Sequence, residues 1–465
     1  MIQARAGHVV IAPDKFKGTL TAVQVAAHVA RGLAAAVPGV ITVEVPVADG
    51  GDGTVDAAVA TGYRRVEASV RGPTGQPLTA AFAILDDVAV VEAAQACGLG
   101  RLPGGRPAPL TATSHGVGEL IAAAADAGAR RIVLGLGGVA TTDGGAGLVR
   151  ALGGRLLDAA GHDIAPGGAA LAGLHRLDMT GMRDLSGVQV LLASDVDNPL
   201  LGPEGAAAVY GPQKGASPGD VSLLEAGLAR WADVAEAALS AAGWAPAPEG
   251  RGATANPGGA EAAAGQSHPG RPGAATRRFR DQAGAGAAGG LGFAALAFLH
   301  ARMEPGIELM LDLLSFTRRL SGARLVITGE GSLDAQTLRG KAPAGVARAA
   351  AAAAPRAPVV AVAGRCSLSA AQLNQAGISA AYALTDIEPD TRRCMADAGP
   401  LLEKLAQRIA RDWLPPRAGP QKGARPCGNA PWIRRAGATG WPRLPAGLPA
   451  GASRGSGPRC AFNGR

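Results

Sequence analysis

The sequence predicts an α/β protein built on a parallel sheet, and three observations predict it. Short, largely apolar runs recur at 8–12, 41–47, 132–134, 188–193 and 325–328, as strands buried in a sheet require. Helical patterns follow several of these runs. The bends after them are rich in glycine and carboxylates, which places charged groups at the strand ends where open α/β sheets bind ligands.

The first strand, 8–12, leads into Asp14, Lys15, Lys17 and Gly18. A helix is expected over 21–36, with Thr21 or Thr19 as its cap and Pro38-Gly39 as its stop. The second strand, 41–47, ends in Ala48-Asp49-Gly50-Gly51-Asp52-Gly53-Thr54, and another helix follows over 55–60. Two carboxylates three residues apart among glycines suit a hard cation such as Mg2+, which takes oxygen ligands. From Tyr63 the texture changes to hairpin-like strands at 66–70, 81–85 and 88–91, the last ending at Glu92 and Gln95. Thr111 to Gly116 then caps a helix expected through 127, with His115 read as a cap residue.

The run 132–134 opens the most glycine-rich stretch, Leu-Gly-Leu-Gly-Gly-Val-Ala-Thr-Thr-Asp-Gly-Gly-Ala-Gly, over 134–147. Glycine lets a backbone approach a ligand closely, and free N–H groups at the following helix favour an anion. Asp143 is its one carboxylate. The strand over 188–193 ends in Ser194-Asp195-Val196-Asp197-Asn198-Pro199, and Gly211-Pro212-Gln213-Lys214-Gly215 follows. A second glycine run, 284–290, opens a helix ending near His300, and another helix covers 306–314. The strand at 325–328 ends in Gly329-Glu330-Gly331, followed by Arg339-Gly340-Lys341 and an Ala-rich helix. Strands at 359–362 and 381–384 and a helix over 401–413 complete the series.

Charge points away from nucleic acid despite a net +8 on 465 residues. Residues 413–465 hold nine Arg or Lys and no acid, and 245–280 hold five Arg against two Glu, so the rest is mildly acidic. Both segments are low-complexity in Pro, Gly and Ala and are expected to be disordered. Five scattered cysteines without a CxxC pair point to a reducing cytoplasm, and no apolar run reaches the ~20 residues of a membrane span. Only six of the 45 basic residues are Lys, and Lys15, Lys17, Lys214 and Lys341 fall in the turns just described.

Acid-bearing strand ends, glycine-lined backbone and a few Lys suit phosphoryl transfer. A Walker A loop is absent: Gly340-Lys341 is followed by Ala342, and Ala335 stands where the first glycine belongs. Two rivals remain. One is an NAD(P)-dependent oxidoreductase using the loop Gly135-x-Gly137-x-x-Ala140, with Asp158 as ribose acid, although its intervening helix would have only about two turns. The other is a non-catalytic nucleotide-binding protein, which leaves the clustered acids and Lys without a task.

Six blocks, in order, closely resemble the type I glycerate kinases: 12–18, 47–54, 137–145, 195–200, 211–215, and 328–331 through 339–341. The resemblance runs from about 8 to about 410. It implies ATP- and Mg2+-dependent phosphorylation of D-glycerate, at the 2-hydroxyl, by a cytoplasmic monomer or homodimer without nucleic-acid or membrane partners. It also implies a discontinuous flavodoxin-like parallel-sheet domain, 1–66 and 291–412, interrupted by a second α/β domain, 67–290, with the active site in the interdomain cleft. Departures stand at Lys15, Asp52, Val139 and Thr142, where the family often has Ser, Glu, Ser and Asn. Val139 brings no hydroxyl, so any ligand contact there comes from backbone.

On this resemblance, and on strand-end placement, Asp14, Lys17, Asp195 and Asp197 are expected to be catalytic. Lys15, Gly137, Gly138, Thr141, Asp143, Gly144, Asn198, Lys214, Gly289, Gly290, Arg339 and Lys341 are expected to bind substrate or nucleotide, and Asp49, Asp52 and Glu330 the metal.

Overall fold

The computed structural model describes residues 7–243 and 278–414. The expected disordered tail therefore lies outside the described residues from 415 onward, as does 245–277 of the internal segment. Its last three residues are described: Arg278 leads into the turn Phe279–Asp281, where Arg280 forks onto Glu236 at 2.7 and 3.0 Å.

Two sheets organise the described chain. The first contains His8–Pro13, Thr42–Glu44, Ala323–Leu333, Val359–Cys366 and Ala380–Ala383. Their spatial order is 380–383, 359–366, 323–333, 8–13, 42–44, and every pair is parallel. All five strands expected for the flavodoxin-like part lie here. Past Glu44 the edge strand keeps bonding irregularly, with Val45 and Val47 donating N–H to the carbonyls of Ile11 and Pro13.

Side chains alternate across a strand, so one strand feeds two cores. Val9 and Ile11 pack with Val25 and Val29 of the helix Ala22–Ala36 and with Leu402 and Leu405 of the helix Ala398–Trp413. Val10 and Ala12 pack on the opposite face with Met310 of the helix Gly306–Leu313 and Val346 of the helix Ala342–Ala353. The helix Ala22–Ala36 starts where expected because Thr21 and Gln24 form a capping box, each side chain accepting the other's backbone N–H.

The second sheet contains Arg64–Arg71, Pro77–Leu85, Val88–Glu92, Arg131–Gly135, Gln189–Ala193 and Arg302–Glu304. Its order is 302–304, 189–193, 131–135, 88–92, 77–85, 64–71. The first four strands are parallel, and the last two close as antiparallel hairpins. The strand Arg302–Glu304 thus joins the second sheet although it follows residue 290, where the resemblance closes the insertion.

A separate antiparallel ribbon pairs Arg155–Leu157 with Arg176–Asp178. This removes the oxidoreductase reading, whose acid must end a parallel strand of the nucleotide-binding sheet. Asp158 instead accepts the backbone N–H groups of Ala160 and His162 in its own turn.

Candidate active site

At the carboxyl ends of the first sheet's strands lies a cavity of about 500 Å³. The bend after His8–Pro13 brings Asp14, Lys15 and Lys17 to it, and the bend after Thr42–Glu44 brings Asp49 and Asp52. Glu330 comes from the long strand Ala323–Leu333 and Lys341 from the turn beyond it. Gly138, from the loop after Arg131–Gly135, is the second sheet's contribution. The lining also includes the apolar side chains of Leu384, Met395 and Ala398, with Thr385 and Thr391 among them.

Asp14 is 7% exposed and takes the Lys15 backbone N–H at 2.6 Å, while the Lys15 ammonium stands 3.7 Å from the same oxygen. Burial pushes its carboxyl up to about 7, against the pull of Lys15, and the nearby carboxylates of Asp49 and Glu330 push the same way. Burial draws the Lys15 ammonium down, but Asp14, Asp49, Asp52 and Glu92 outweigh it and hold it above its ordinary value. Burial also raises Glu330, although Thr337 donates its hydroxyl to Oε1 and Lys341 lies 3.7 Å from Oε2.

Other expected residues sit elsewhere. Asp195 and Asp197 line a separate cavity of about 570 Å³ with Glu304, Glu308 and Arg348. There Asp195 accepts the Gly306 N–H at 3.1 Å, and burial raises its carboxyl. Gly340 lines that second cavity while its neighbour Lys341 lines the first. Asn198 is engaged by the segment that follows it, donating to Glu204 O and accepting from Tyr210 Oη, both at 2.7 Å. Arg339 ends the short turn Thr337–Arg339, and its side chain lies outside the described set.

Asp143 is buried and fully engaged. It accepts from Ser114 N and Oγ at 2.8 and 3.0 Å and from the N–H groups of Gly145 and Gly147 at 3.2 Å each. It thereby joins the starts of the helices His115–Asp126 and Ala146–Ala151, and burial still raises its pKa. Lys214 is likewise buried, its ammonium bonded to Thr141 O at 2.6 Å and brought down to about 8 by burial. Gly289 and Gly290 press on the backbone of Thr141 and Gly144, where a Cβ would stand 2.0 and 2.7 Å from the nearest atom. Gly144 O in turn accepts Trp231 Nε1 at 2.9 Å. These loops are braced against one another by protein groups.

Gly137 is taken up by the other sheet's acid loop: its N–H donates to Gly50 O at 3.2 Å. A residue outside the expected set guards the same loop. Glu92, at the end of Val88–Glu92, is buried and accepts the Gly53 and Val55 N–H groups at 3.1 and 3.2 Å. Burial pushes its carboxyl up to about 7. Its signal in the sequence is one carboxylate closing an otherwise apolar strand.

Among the described residues no three acids or other ligating side chains converge closely enough to hold an ion by themselves. Asp49, Asp52 and Glu330 nonetheless face one cavity with oxygen donors only. That set fits Mg2+, which is commonly held by one or two carboxylates together with waters and phosphate oxygens.

The glycerate kinase family model matches residues 9–414. The chain belongs to this family. It is 41% identical over 406 residues to a glycerate kinase of Bacillus subtilis (strain 168), covering 86% of this chain and 96% of that one. It is 38% identical over 381 residues to a glycerate 2-kinase of Escherichia coli (strain K12), covering 81% and 90%. A crystal structure named as a candidate glycerate kinase 2, from Salmonella typhimurium LT2, superposes with a TM-score of 0.69 at 37% identity, covering 88% of this chain and 98% of that one. The expected α/β class with a parallel sheet and the expected family hold, and a non-catalytic role has no support in these likenesses. No helix among the described residues is long and apolar enough to cross a membrane.

Proposed function

We propose that this member of the glycerate kinase family transfers the γ-phosphoryl group of ATP to D-glycerate in the 500 Å³ cavity, giving 2-phosphoglycerate. The observation that carries the reading is Asp14. A buried carboxyl poised near 7, beside Lys15 and opposite Asp49 and Glu330, suits a general base at neutral pH. Asp14 would take the proton of the 2-hydroxyl as that oxygen bonds to the γ-phosphorus and the bond to the bridging oxygen of ADP breaks. Lys15, Lys17 and Lys341 would balance the phosphate charge. Carboxylates drawn from Asp49, Asp52 and Glu330 would hold Mg2+ together with waters and phosphate oxygens, and the ion when bound neutralises charge on those oxygens. The apolar side chains of Leu384, Met395 and Ala398 would pack against the nucleoside. The division into a split domain and an inserted domain, with the cavity between them, belongs to the same proposal, as does a cytoplasmic location.

Asp195 and Asp197 are assigned no step. The test is product identification by phosphorus NMR after incubation with D-glycerate and ATP·Mg. A 2-phosphoglycerate resonance with stoichiometric ADP is expected. Formation of 3-phosphoglycerate would overturn the regiochemistry, and absence of any phosphoglycerate would overturn the reaction.

A further inference from the structure

Glu330 has one oxygen committed to a neighbour and one aimed toward Lys341, and the group that makes that choice is Thr337. Thr337 is fully buried at the start of the turn Thr337–Arg339. Its hydroxyl oxygen accepts the Asp334 N–H at 3.1 Å while its proton goes to Glu330 Oε1. Its own backbone N–H closes the turn on Asp334 O at 2.9 Å. The remaining oxygen, Oε2, lies 3.7 Å from the Lys341 ammonium on the cavity wall. We propose that Thr337 is a positioning residue that fixes which oxygen of Glu330 is presented to the bound metal–nucleotide. The inference rests on the reading of this cavity as the phosphoryl-transfer site.

The chemistry asks for a hydroxyl. Accepting from an amide and donating to a carboxylate through one atom is something Ser and Thr do and Val cannot. Without that donor, the buried Oε1 loses its partner, and the carboxylate gains by turning toward Lys341 with both oxygens. The residue acts on nothing that reacts. Its effect should appear in metal–nucleotide binding rather than in turnover at saturation.

Thr337→Val, Thr337→Ala and Thr337→Ser separate these roles. Two quantities are read: the KM for ATP·Mg against kcat with D-glycerate, and Mn2+ affinity by electron paramagnetic resonance in the presence of a non-hydrolysable ATP analogue. Thr337→Val is expected to raise the KM and weaken Mn2+ binding about tenfold or more, with a smaller change in kcat, and Thr337→Ser to restore both. Equal behaviour of the Val and Ser variants in both measurements overturns the proposal, as does a loss confined to kcat. If Thr337→Val fails to fold by circular dichroism, the Ala and Ser pair decides on the same criteria. Should the wild type prove inactive on glycerate, the reading of the reaction fails, while the Mn2+ titration still decides Thr337.

Discussion

The Gly137 N–H donates to the Gly50 carbonyl across 3.2 Å, and this bond ties the loop after Arg131–Gly135 to the acid loop after Thr42–Glu44. Around it the two backbones touch. A Cβ on Gly135 would stand 2.5 Å from Gly50 O, and one on Gly137 would stand 2.6 Å from Gly51 Cα. With Glu92 holding Gly53 and Val55, the contact fixes Asp49 and Asp52 from behind.

Gly137→Ala should therefore push the acid loop away from its partner. We expect a loss of about 1–3 kcal/mol, the usual cost of forcing extra atoms into a packed contact, visible as a lower melting temperature. Turnover should fall with it because Asp49 and Asp52 move. An unchanged melting temperature would show that the loops are not braced this way.

Asp14→Asn should lower kcat by about 10²–10⁴, the ordinary contribution of a general base. The pH profile gives a second check. Asp14 titrates near 7 and works only when ionised, so wild-type turnover should decline as pH falls through that value. The residual activity of the variant should lack this limb.

Glu92 and Asp14 also bear on stability. Both carboxyls are pushed up to about 7 by burial, so the folded chain holds protons that the unfolded chain has already released at lower pH. Their contribution must shrink as pH rises from the ordinary carboxylate range to about 7. Glu92→Gln keeps an oxygen for the Gly53 and Val55 amides but does not ionise. Its melting temperature should fall less than the wild type's between acidic and mildly alkaline buffer, with each unit of pKa worth about 1.4 kcal/mol. Parallel curves would remove Glu92 from this account.

Trp231 supports the glycine loops rather than the chemistry. It is fully buried, stacks on Phe298 at 5.7 Å, meets Phe293 edge-on at 6.2 Å and donates to Gly144 O. Trp231→Ala should cost about 3–5 kcal/mol in denaturant unfolding. Trp231→Phe keeps most of the packing and gives up the bond to Gly144, a loss of about 1 kcal/mol. Equal losses for the two variants would assign the whole effect to the hydrogen bond.

Much of this was legible in the letters. Buried strands announce themselves by unbroken apolar runs, and the Thr21–Gln24 capping box marks the helix start at Ala22. The cluster of Asp14, Lys15, Lys17, Asp49, Asp52, Glu330 and Lys341 follows from strand ends of one sheet. Asp195 shows where that logic stops. It also ends a parallel strand, but Gln189–Ala193 belongs to the other sheet, and its end opens on the helix Gly306–Leu313. Asp143 and Lys214 show a second limit. A carboxylate or ammonium among glycines does not announce its protein partners, which here are Ser114, Gly145, Gly147 and Thr141. Thr337 and the wall at Leu384 and Met395 carry no signal of their own, because one reads as an ordinary hydroxyl and the others as core.

The pairing of His8–Pro13 with Ala323–Leu333 sets an order of events during synthesis. The first strand leaves the ribosome long before its central neighbour exists, since Ile11 must wait for Ile327. Every strand of the other sheet, from Arg64 to Glu304, has by then been made. The intervening sheet is thus free to collapse first, while His8–Pro13, with Thr42–Glu44 on one side, keeps its other edge open until the final third of the polypeptide emerges. Such long-range closure predicts slow maturation of the cavity, because Asp14 and Glu330 become neighbours only once a strand more than three hundred residues downstream has paired.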